Sequence, residues 1–109
     1  MADSLGLFEQ AVLLAVIELG EEAYGRAILE QVQTRLKRDV AAGAVHATLN
    51  RLEEKRLLKS RLGPGTEIRA GHPRRYYAVQ ARGRTALNDA RATVDSIWHG
   101  FKMPLKGGT

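Results

Sequence analysis

Residues 71–79 have the sequence GHPRRYYAV, in which two adjacent arginines follow a turn and two tyrosines come directly after them. Arginine presents a planar fork of N–H donors that matches the geometry of phosphate. Neighbouring side chains of a strand point to opposite faces, so one of Arg74 and Arg75 should face a ligand while the other faces away. Arg69 stands before the turn and is a third candidate. The stretch is therefore either a finger that contacts phosphate or a hairpin whose cations only keep it solvated.

Charge is distributed unevenly along the chain, whose net charge is +5. Residues 1–34 contain six acidic residues and one basic residue, whereas residues 55–91 contain ten basic residues and two acidic ones. Such segregation creates a positive region suited to a polyanion, most often nucleic acid. The alternative is a solvated surface that keeps the protein in solution.

Composition limits the remaining classes of protein. The chain has 109 residues, of which 44% are hydrophobic, enough for one domain with a single core. Cysteine is absent, which excludes a disulfide framework, a thiolate metal site and a cysteine nucleophile. The longest apolar run, residues 11–17, is too short to span a membrane, and we expect a cytoplasmic protein with no membrane partner.

Neither the histidines nor the paired acidic residues indicate an enzyme. The histidines, His46, His72 and His99, lie on different predicted elements and have no ligand spacing. The glutamate pairs at 21–22 and 53–54 are adjacent in sequence, so their carboxylates need not face each other. We therefore expect no catalytic site, no metal and no cofactor.

Hydrophobic spacing predicts four helices and one hairpin, and the fold class is mainly α with a small β-hairpin. The predicted order is helix 5–19, helix 24–37, helix 42–56, strands within 57–62 and 74–80, and a helix from residue 81 onward. Ser4 is the expected N-cap of the first helix and Gly20 its expected end. In the last helix, apolar residues recur three and four apart, which is the seam of a helix that packs on a like helix. These residues are Leu87, Ala90, Val94, Ile97 and Phe101.

The third predicted helix carries polar residues beside its apolar stripe. When Val45, Leu49 and Leu52 are buried, His46 and Asn50 share one flank. The other flank holds Ala44, Thr48, Arg51 and Lys55. Asparagine can bond adenine with two hydrogen bonds, and histidine or threonine can bond phosphate or a base edge. The alternative is an exposed helix face whose cations pair with nearby glutamates.

Four motifs together resemble the PadR family of bacterial transcriptional regulators. In chain order they are AYGRAILEQV at 23–32, GAVHATLNRLEEKRLL at 43–58, GHPRRYYAV at 71–79 and RGRTAL at 82–87. The resemblance implies a winged helix-turn-helix whose third helix enters the major groove and whose hairpin lies along the sugar-phosphate backbone. The single helix after the hairpin is similar to the short branch of the family, in which the first and last helices build the dimer.

The chain departs from the family pattern at four positions. His46 stands where the family commonly has a DNA-contacting tyrosine, which leaves the DNA sequence preference open. Ala47 stands where proline is frequent, and Arg56 where glycine is frequent and a turn is usually needed. Gln80 occupies the place of a threonine that usually caps the last helix.

The resemblance also divides the chain and assigns roles to residues. It implies a DNA-binding domain at 1–80, a dimerisation helix at 81–104 and a flexible tail at 105–109. The predicted DNA contacts are Ala44, His46, Thr48, Asn50, Arg51, Lys55, Arg69, Arg74 and Arg75. The predicted dimer interface consists of Phe8, Val12, Leu87, Val94, Ile97 and Phe101. Paired last helices of short family members can frame a cavity, so Ile97, Trp98 and Phe101 are candidates to bind a flat apolar effector, although interface packing is the simpler role for Trp98.

The sequence thus predicts a homodimeric repressor that binds a pseudo-palindromic operator in double-stranded DNA and responds to a small molecule. The alternative is a winged-helix module that binds protein or RNA without recognising a DNA sequence, because the same fold also serves in protein contacts.

Overall fold

The computed structural model describes residues 4–63, 68–69 and 72–104, and at 68, 69 and 72 the description covers the backbone alone. Four α-helices, a short 3₁₀ helix (Gly20–Glu22) and four strands follow one another along this part of the chain. The helices are α1 (Leu7–Leu19), α2 (Gly25–Leu36), α3 (Ala42–Glu54) and α4 (Ala81–Trp98). The strands are β1 (Leu58–Leu62), β2 (Ile68–Arg69), β3 (His72–Pro73) and β4 (Arg75–Val79). This architecture confirms the predicted mainly helical fold with a β-hairpin.

The core is formed where α1, α2, α3 and the base of the hairpin meet. Each helix buries the apolar side chains that its periodicity places on one face. The largest fully buried side chains are Val12, Leu13, Val16, Ile28, Val32, Leu49, Leu52, Leu57 and Leu58. Burial of each such side chain favours folding by about 1.5–3 kcal/mol. A single core therefore fixes the orientation of α3 and of the first residues of β1.

The hairpin is attached to the helices through both of its long strands. β1 and β4 pair antiparallel, from Leu58 opposite Val79 to Leu62 opposite Arg75, and β2 pairs with β3 farther along the hairpin. On its other edge, β4 forms a bridge between Tyr76 and Tyr24, and the N–H of Tyr77 donates to the carbonyl of Ala23 at 2.8 Å. We call residues 58–79 the wing.

α4 starts in close contact with the wing and then leaves the domain. A Cβ placed on Gly83 would lie 2.5 Å from the carbonyl oxygen of Leu57 and 2.8 Å from Cγ1 of Val79, so this approach requires glycine. Ala86 is buried and Leu87 is half-buried, whereas every residue from 91 to 104 is exposed. Among the described helices, none is both long and apolar enough to cross a membrane.

Helix boundaries differ from the predicted ones at several ends. α2 is one residue shorter than predicted at each end, and α4 ends at Trp98 rather than continuing to residue 104. α1 begins at Leu7, because the N-cap is Gly6 rather than Ser4, and the carboxylate of Glu9 accepts a hydrogen bond from the N–H of Gly6 at 3.0 Å. Its predicted end at Gly20 is confirmed, since that residue has φ +57°. α3 ends at Glu54, two residues before the predicted end. The predicted flexible tail at 105–109 lies outside the described residues.

The link between α3 and β1 contains a non-glycine residue in the left-handed region. Arg56 has φ +66°, and its N–H donates to the carbonyl of Glu53 at 2.9 Å. The amide of Gln80 donates to the carbonyls of Arg56 and Leu58, at 3.3 and 3.1 Å. Gln80 is the N-cap residue of α4 but makes no side-chain cap there. Its side chain instead ties the start of α4 to the turn, a role that the threonine usual in the family would be too short to fill.

Replacing Arg56 with glycine should stabilise the protein. The left-handed conformation costs a non-glycine residue about 1–2 kcal/mol, and the greater entropy of glycine in the unfolded chain offsets part of this gain. We expect Arg56→Gly to raise the free energy of unfolding by about 0.5–1 kcal/mol, measured by urea denaturation. Arg56→Gln removes the same charge but keeps the strain and should show no gain. Equal stability of Arg56→Gly and the wild type would contradict the claim that the left-handed conformation of Arg56 costs free energy.

Tyr77 should make stability depend on alkaline pH. Burial raises the pKa of Tyr77 above its ordinary value of 10.0, the charge of Arg75 opposes this rise and that of Glu53 adds to it. The folded protein therefore keeps the phenol neutral at pH values where the unfolded chain ionises it. The resulting stabilisation is complete below about pH 10 and is lost as the pH rises through the pKa of the folded state.

The measurement is the free energy of unfolding between about pH 9 and 11 for the wild type, Tyr77→Phe and Tyr24→Phe. Stability of the wild type and of Tyr24→Phe should decline more steeply than that of Tyr77→Phe. A decline of the same slope in all three proteins would assign the alkaline loss to other groups.

Candidate nucleic-acid interface

The outward face of α3 is formed by small and polar side chains. Val45, Thr48, Leu49 and Leu52 are buried, so the residues half a turn away point to solvent. These exposed residues are Gly43, Ala47, Asn50 and Glu54. A Cβ on Gly43 would meet no atom within 4 Å. The face is therefore open enough for a close approach to a groove, and Asn50 presents an amide at its centre.

Thr48 does not lie on the DNA-contacting flank of α3 where the sequence analysis placed it. Its side chain is 3% exposed, because it lies one turn from both Val45 and Leu52 on the buried side of α3. Its hydroxyl accepts a hydrogen bond from Nη2 of Arg51 at 3.3 Å. Thr48 therefore supports the position of Arg51 and has almost no surface with which to contact DNA.

Arg51 and Lys55 lie on the flank of α3 that faces α1, together with the exposed Ala44. Nε of Arg51 is 3.5 Å from a carboxylate oxygen of Glu9, and Nζ of Lys55 is 3.7 Å from the same oxygen. The side chain of Glu9 is only 13% exposed, whereas those of Arg51 and Lys55 are 49% and 37% exposed. One carboxylate therefore holds both cations near α1, and their contact with DNA stays a prediction.

The wing is joined to α3 by a chain of hydrogen bonds. Nη1 of Arg75 donates to the hydroxyl of Ser60 at 3.0 Å, and this hydroxyl donates to a carboxylate oxygen of Glu53 at 2.6 Å. Glu53 belongs to α3, while Ser60 and Arg75 belong to β1 and β4. These two hydrogen bonds therefore connect the guanidinium of Arg75 to α3 through Ser60 and Glu53.

The predicted split, with one of Arg74 and Arg75 facing a ligand and the other facing away, is not found, because both line one groove between α3 and the start of α2. Arg74 contacts the start of α2, whereas Arg75 contacts β1. The guanidinium of Arg74 lies over the ring of Tyr24, 4.0 Å from the centroid. The rings of Tyr24 and Tyr76 meet edge to face with centroids 5.8 Å apart, and Arg61 lies 5.0 Å from the centroid of Tyr76. The contacts of Arg74 and Tyr76 with Tyr24 therefore join the wing to the start of α2. The side chain of Arg69 lies outside the described part of the structure.

A groove with a volume of about 280 Å³ separates α3 from the wing and the start of α2. We call it the basic groove. Its lining residues are Tyr24, Gly25, Arg26, His46, Pro73, Arg74, Arg75 and Tyr77. Carboxylates are absent from this lining, and the described residues contain no group of three acidic or histidine side chains that could hold a metal. The groove can therefore accept an anion that runs past His46.

Arg26 is a member of the basic groove that the sequence analysis did not select. It lies in the first turn of α2 and pairs with Glu30 at 3.3 Å, while about two-thirds of its side chain remains exposed. The signal was its place directly after the AYG of residues 23–25, because the start of α2 faces the wing. In the sequence, however, Arg26 stands four residues before Glu30, which is typical of an ordinary ion pair on a helix surface. This spacing did not distinguish it from other surface arginines.

A second exposed surface lies on α1 and α4, away from the basic groove. Val12, predicted at the dimer interface, is fully buried in the core of its own chain, and Phe8 is half-buried. The sequence could not separate the faces of α1 because apolar residues surround this helix. The exposed apolar side chains are Leu7 and Leu14 of α1, with Val94, Ile97, Trp98, Phe101 and Met103 in or after α4. The rings of Trp98 and Phe101 meet edge to face with centroids 5.6 Å apart.

Comparison with solved structures places this fold among winged-helix regulators. A PadR-like transcription factor from Bacteroides fragilis is 23% identical and has a TM-score of 0.69, over 86% of this chain and 85% of that chain. A PadR family regulator from Eggerthella lenta DSM 2243 is 27% identical with a TM-score of 0.62, over 82% of this chain and 75% of that chain. BpsR of Bordetella bronchiseptica, whose DNA binding is regulated by 6-hydroxynicotinic acid, is 16% identical with a TM-score of 0.62, over 91% and 69% of the two chains.

Comparison of the sequence with family models and with curated proteins gave different results. No curated protein matches. The model described as the transcriptional regulator PadR-like family matches residues 13–89, which include α2, α3 and the whole wing. Together with the winged-helix fold, this match shows that the chain belongs to the PadR-like family of transcriptional regulators.

Proposed function

We propose that this protein is a sequence-specific DNA-binding regulator that acts as a homodimeric repressor in the cytoplasm. The observation that carries the proposal is that the open face of α3 and the basic groove lie side by side on one surface. Asn50 lies on that face, while His46 and the wing arginines line the groove. A duplex bound to this surface would present its base edges to the open face of α3 and its phosphates to the basic groove.

Recognition of bases falls to the outward face of α3. An asparagine amide can donate to N6 and accept from N7 of the same adenine, a pairing worth about 1–3 kcal/mol of discrimination. Gly43 and Ala47 leave room for the helix to come near the floor of the major groove. Because Thr48 is buried, base contacts are assigned to Asn50 and to its neighbours on the exposed side.

Arginines of the wing, together with cations on the far flank of α3, would contact the phosphates. The guanidinium of Arg75 is held by Ser60, and that of Arg74 lies against Tyr24, so both are positioned before a ligand arrives. Prior positioning lowers the entropy lost on binding. Arg51 and Lys55 would add contacts on the opposite flank while they remain anchored by Glu9.

The wing arginines should account for part of the salt dependence of DNA binding. Arg74→Ala with Arg75→Ala should weaken binding to a duplex of about 30 bp by about tenfold or more at moderate salt, because phosphate contacts are lost. The slope of log K against log salt should fall by about 1 per lost contact. Fluorescence anisotropy measures both quantities.

Arg91→Ala provides the matched control for this experiment. Arg91 is an exposed arginine on α4 that pairs with Asp95 at 3.9 Å, away from the basic groove. Like each substitution in the wing, Arg91→Ala removes one positive charge, but it should leave the slope of log K against log salt unchanged. Equal losses per arginine in the two proteins would mean that DNA responds to net charge alone, and this would contradict the assigned surface.

The proposed dimer rests on the exposed apolar surface of α1 and α4. Ile97 is 73% exposed, Leu7 is 77% exposed, and five apolar side chains follow the seam of α4 or lie just after it. Water would be excluded from this surface if α4 packed on the equivalent helix of a second copy and on its α1. Leu87 would continue the seam toward the domain, where it is half-buried.

Charge placed on the seam should separate the two copies. We expect the wild type to sediment as a dimer at about 50 μM, and Val94→Asp with Ile97→Asp to sediment as a monomer, because two buried carboxylates per copy would be desolvated. Leu62→Asp is the control, since Leu62 is 54% exposed but lies on β1. A monomeric wild type, or a dimer that survives the double substitution, would refute the assigned interface.

We extend the proposal to a flat apolar effector that relieves repression. Trp98 is 50% exposed and Phe101 is 58% exposed, and their edge-to-face contact leaves ring surface available next to Ile97. In the proposed dimer these rings would come from both copies and frame one cavity. The solved structure of BpsR, a protein of similar fold, belongs to a regulator whose DNA binding responds to 6-hydroxynicotinic acid. That likeness supports the kind of control but not the identity of an effector.

A further inference from the structure

His46 is surrounded in the basic groove by cations from other elements. Arg26 faces it from α2, and Arg74 and Arg75 face it from the wing. Tyr24 and Tyr77 also belong to the lining, and Asn50 follows His46 by one turn of α3. Two carboxylates have partners among or next to the lining residues: Glu30 pairs with Arg26, and Glu53 accepts a hydrogen bond from Ser60 while its charge also acts on Tyr77. Among the described residues that line the groove, His46 is the only histidine.

We propose that the basic groove takes a phosphate of the DNA backbone and that His46 binds this phosphate as an imidazolium, so that DNA binding takes up a proton. This inference rests on the proposed function and deepens it. It concerns a residue that differs from the tyrosine implied by the family resemblance, and a tyrosine could not supply the same linkage.

The chemistry of the ligand supports the protonated form of the ring. A phosphodiester is an anion throughout the neutral range, and a charged N–H donor forms a stronger hydrogen bond to it than a neutral one does. The neutral ring carries one N–H donor, whereas the imidazolium carries two. Arginines keep their charge at these pH values, and the phenol of Tyr77, whose pKa burial raises, stays neutral. Within the lining of the basic groove, the pH dependence should therefore come from His46.

Linkage fixes the direction of the effect. If the complex holds more protons than the free protein and free DNA, the association constant increases as the pH falls. Uptake of one full proton would increase it by about tenfold per pH unit for each copy of the chain. Uptake of less than one full proton gives a smaller increase, and we expect a gain of about fivefold or more between about pH 8 and pH 6.

The experiment measures the affinity of the full chain for one duplex of about 30 bp between about pH 6 and pH 8 at constant ionic strength. The proteins compared are the wild type, His46→Gln, His72→Gln and His99→Gln. Glutamine keeps a hydrogen-bond donor but does not titrate. His46 is exposed, so the substitution should preserve the fold, and thermal unfolding of each variant checks this at both pH limits.

The wild type, His72→Gln and His99→Gln should bind more tightly at low pH, while His46→Gln should show a flat profile that meets that of the wild type near pH 8. Binding by the wild type that does not change with pH would overturn the inference and leave the proposed function intact. A dependence that persists in His46→Gln and disappears in His72→Gln would overturn the assignment to the basic groove. Failure of every protein to bind duplex DNA would overturn the proposed function as well.

Discussion

The pairing of β4 with the segment before α2 determines where the wing stands. A single backbone hydrogen bond from Tyr77 to Ala23, at 2.8 Å, places β4 between β1 and the start of α2. Tyr77 then turns into the core, and Arg75 is directed toward Ser60 and α3. The guanidinium of Arg74, just before β4, lies over the ring of Tyr24. Without this hydrogen bond β4 would be held less firmly against the segment before α2, which forms one wall of the basic groove.

Charge is used differently on the two flanks of α3. On the flank toward α1, the half-buried Glu9 holds Arg51 and Lys55, and the same carboxylate group caps the start of α1. On the flank toward the wing, the lining of the basic groove contains cations and no carboxylate. The first arrangement fixes positive side chains in place, whereas the second leaves a positive field for a ligand. The uneven charge along the sequence therefore produces a positive electrostatic field at the basic groove only after folding brings these cations together.

Sequence patterns predicted the order of the elements, because periodicity and turn residues act locally. The positions of His46, Asn50 and the wing arginines followed from spacing within one helix or strand. Thr48 and Val12 were misplaced because burial on α3 and α1 depends on which neighbouring helix packs there, which spacing alone does not give. Arg26 and Leu14 were missed for the same reason, since their exposure depends on tertiary packing. The left-handed Arg56 shows that the fold keeps a turn even where the residue is unfavourable for it.

The central claim is that this surface recognises a DNA sequence as a dimer. Selection of bound duplexes from a random library at moderate salt, followed by sequencing, tests it most directly for the wild type beside Asn50→Ala. The account predicts an enriched inverted repeat with half-sites about 10–20 bp apart, centre to centre, and a loss of preference at specific positions with Asn50→Ala. The absence of an enriched motif, with binding that disappears as salt increases, would show that the surface responds only to charge and would contradict the account.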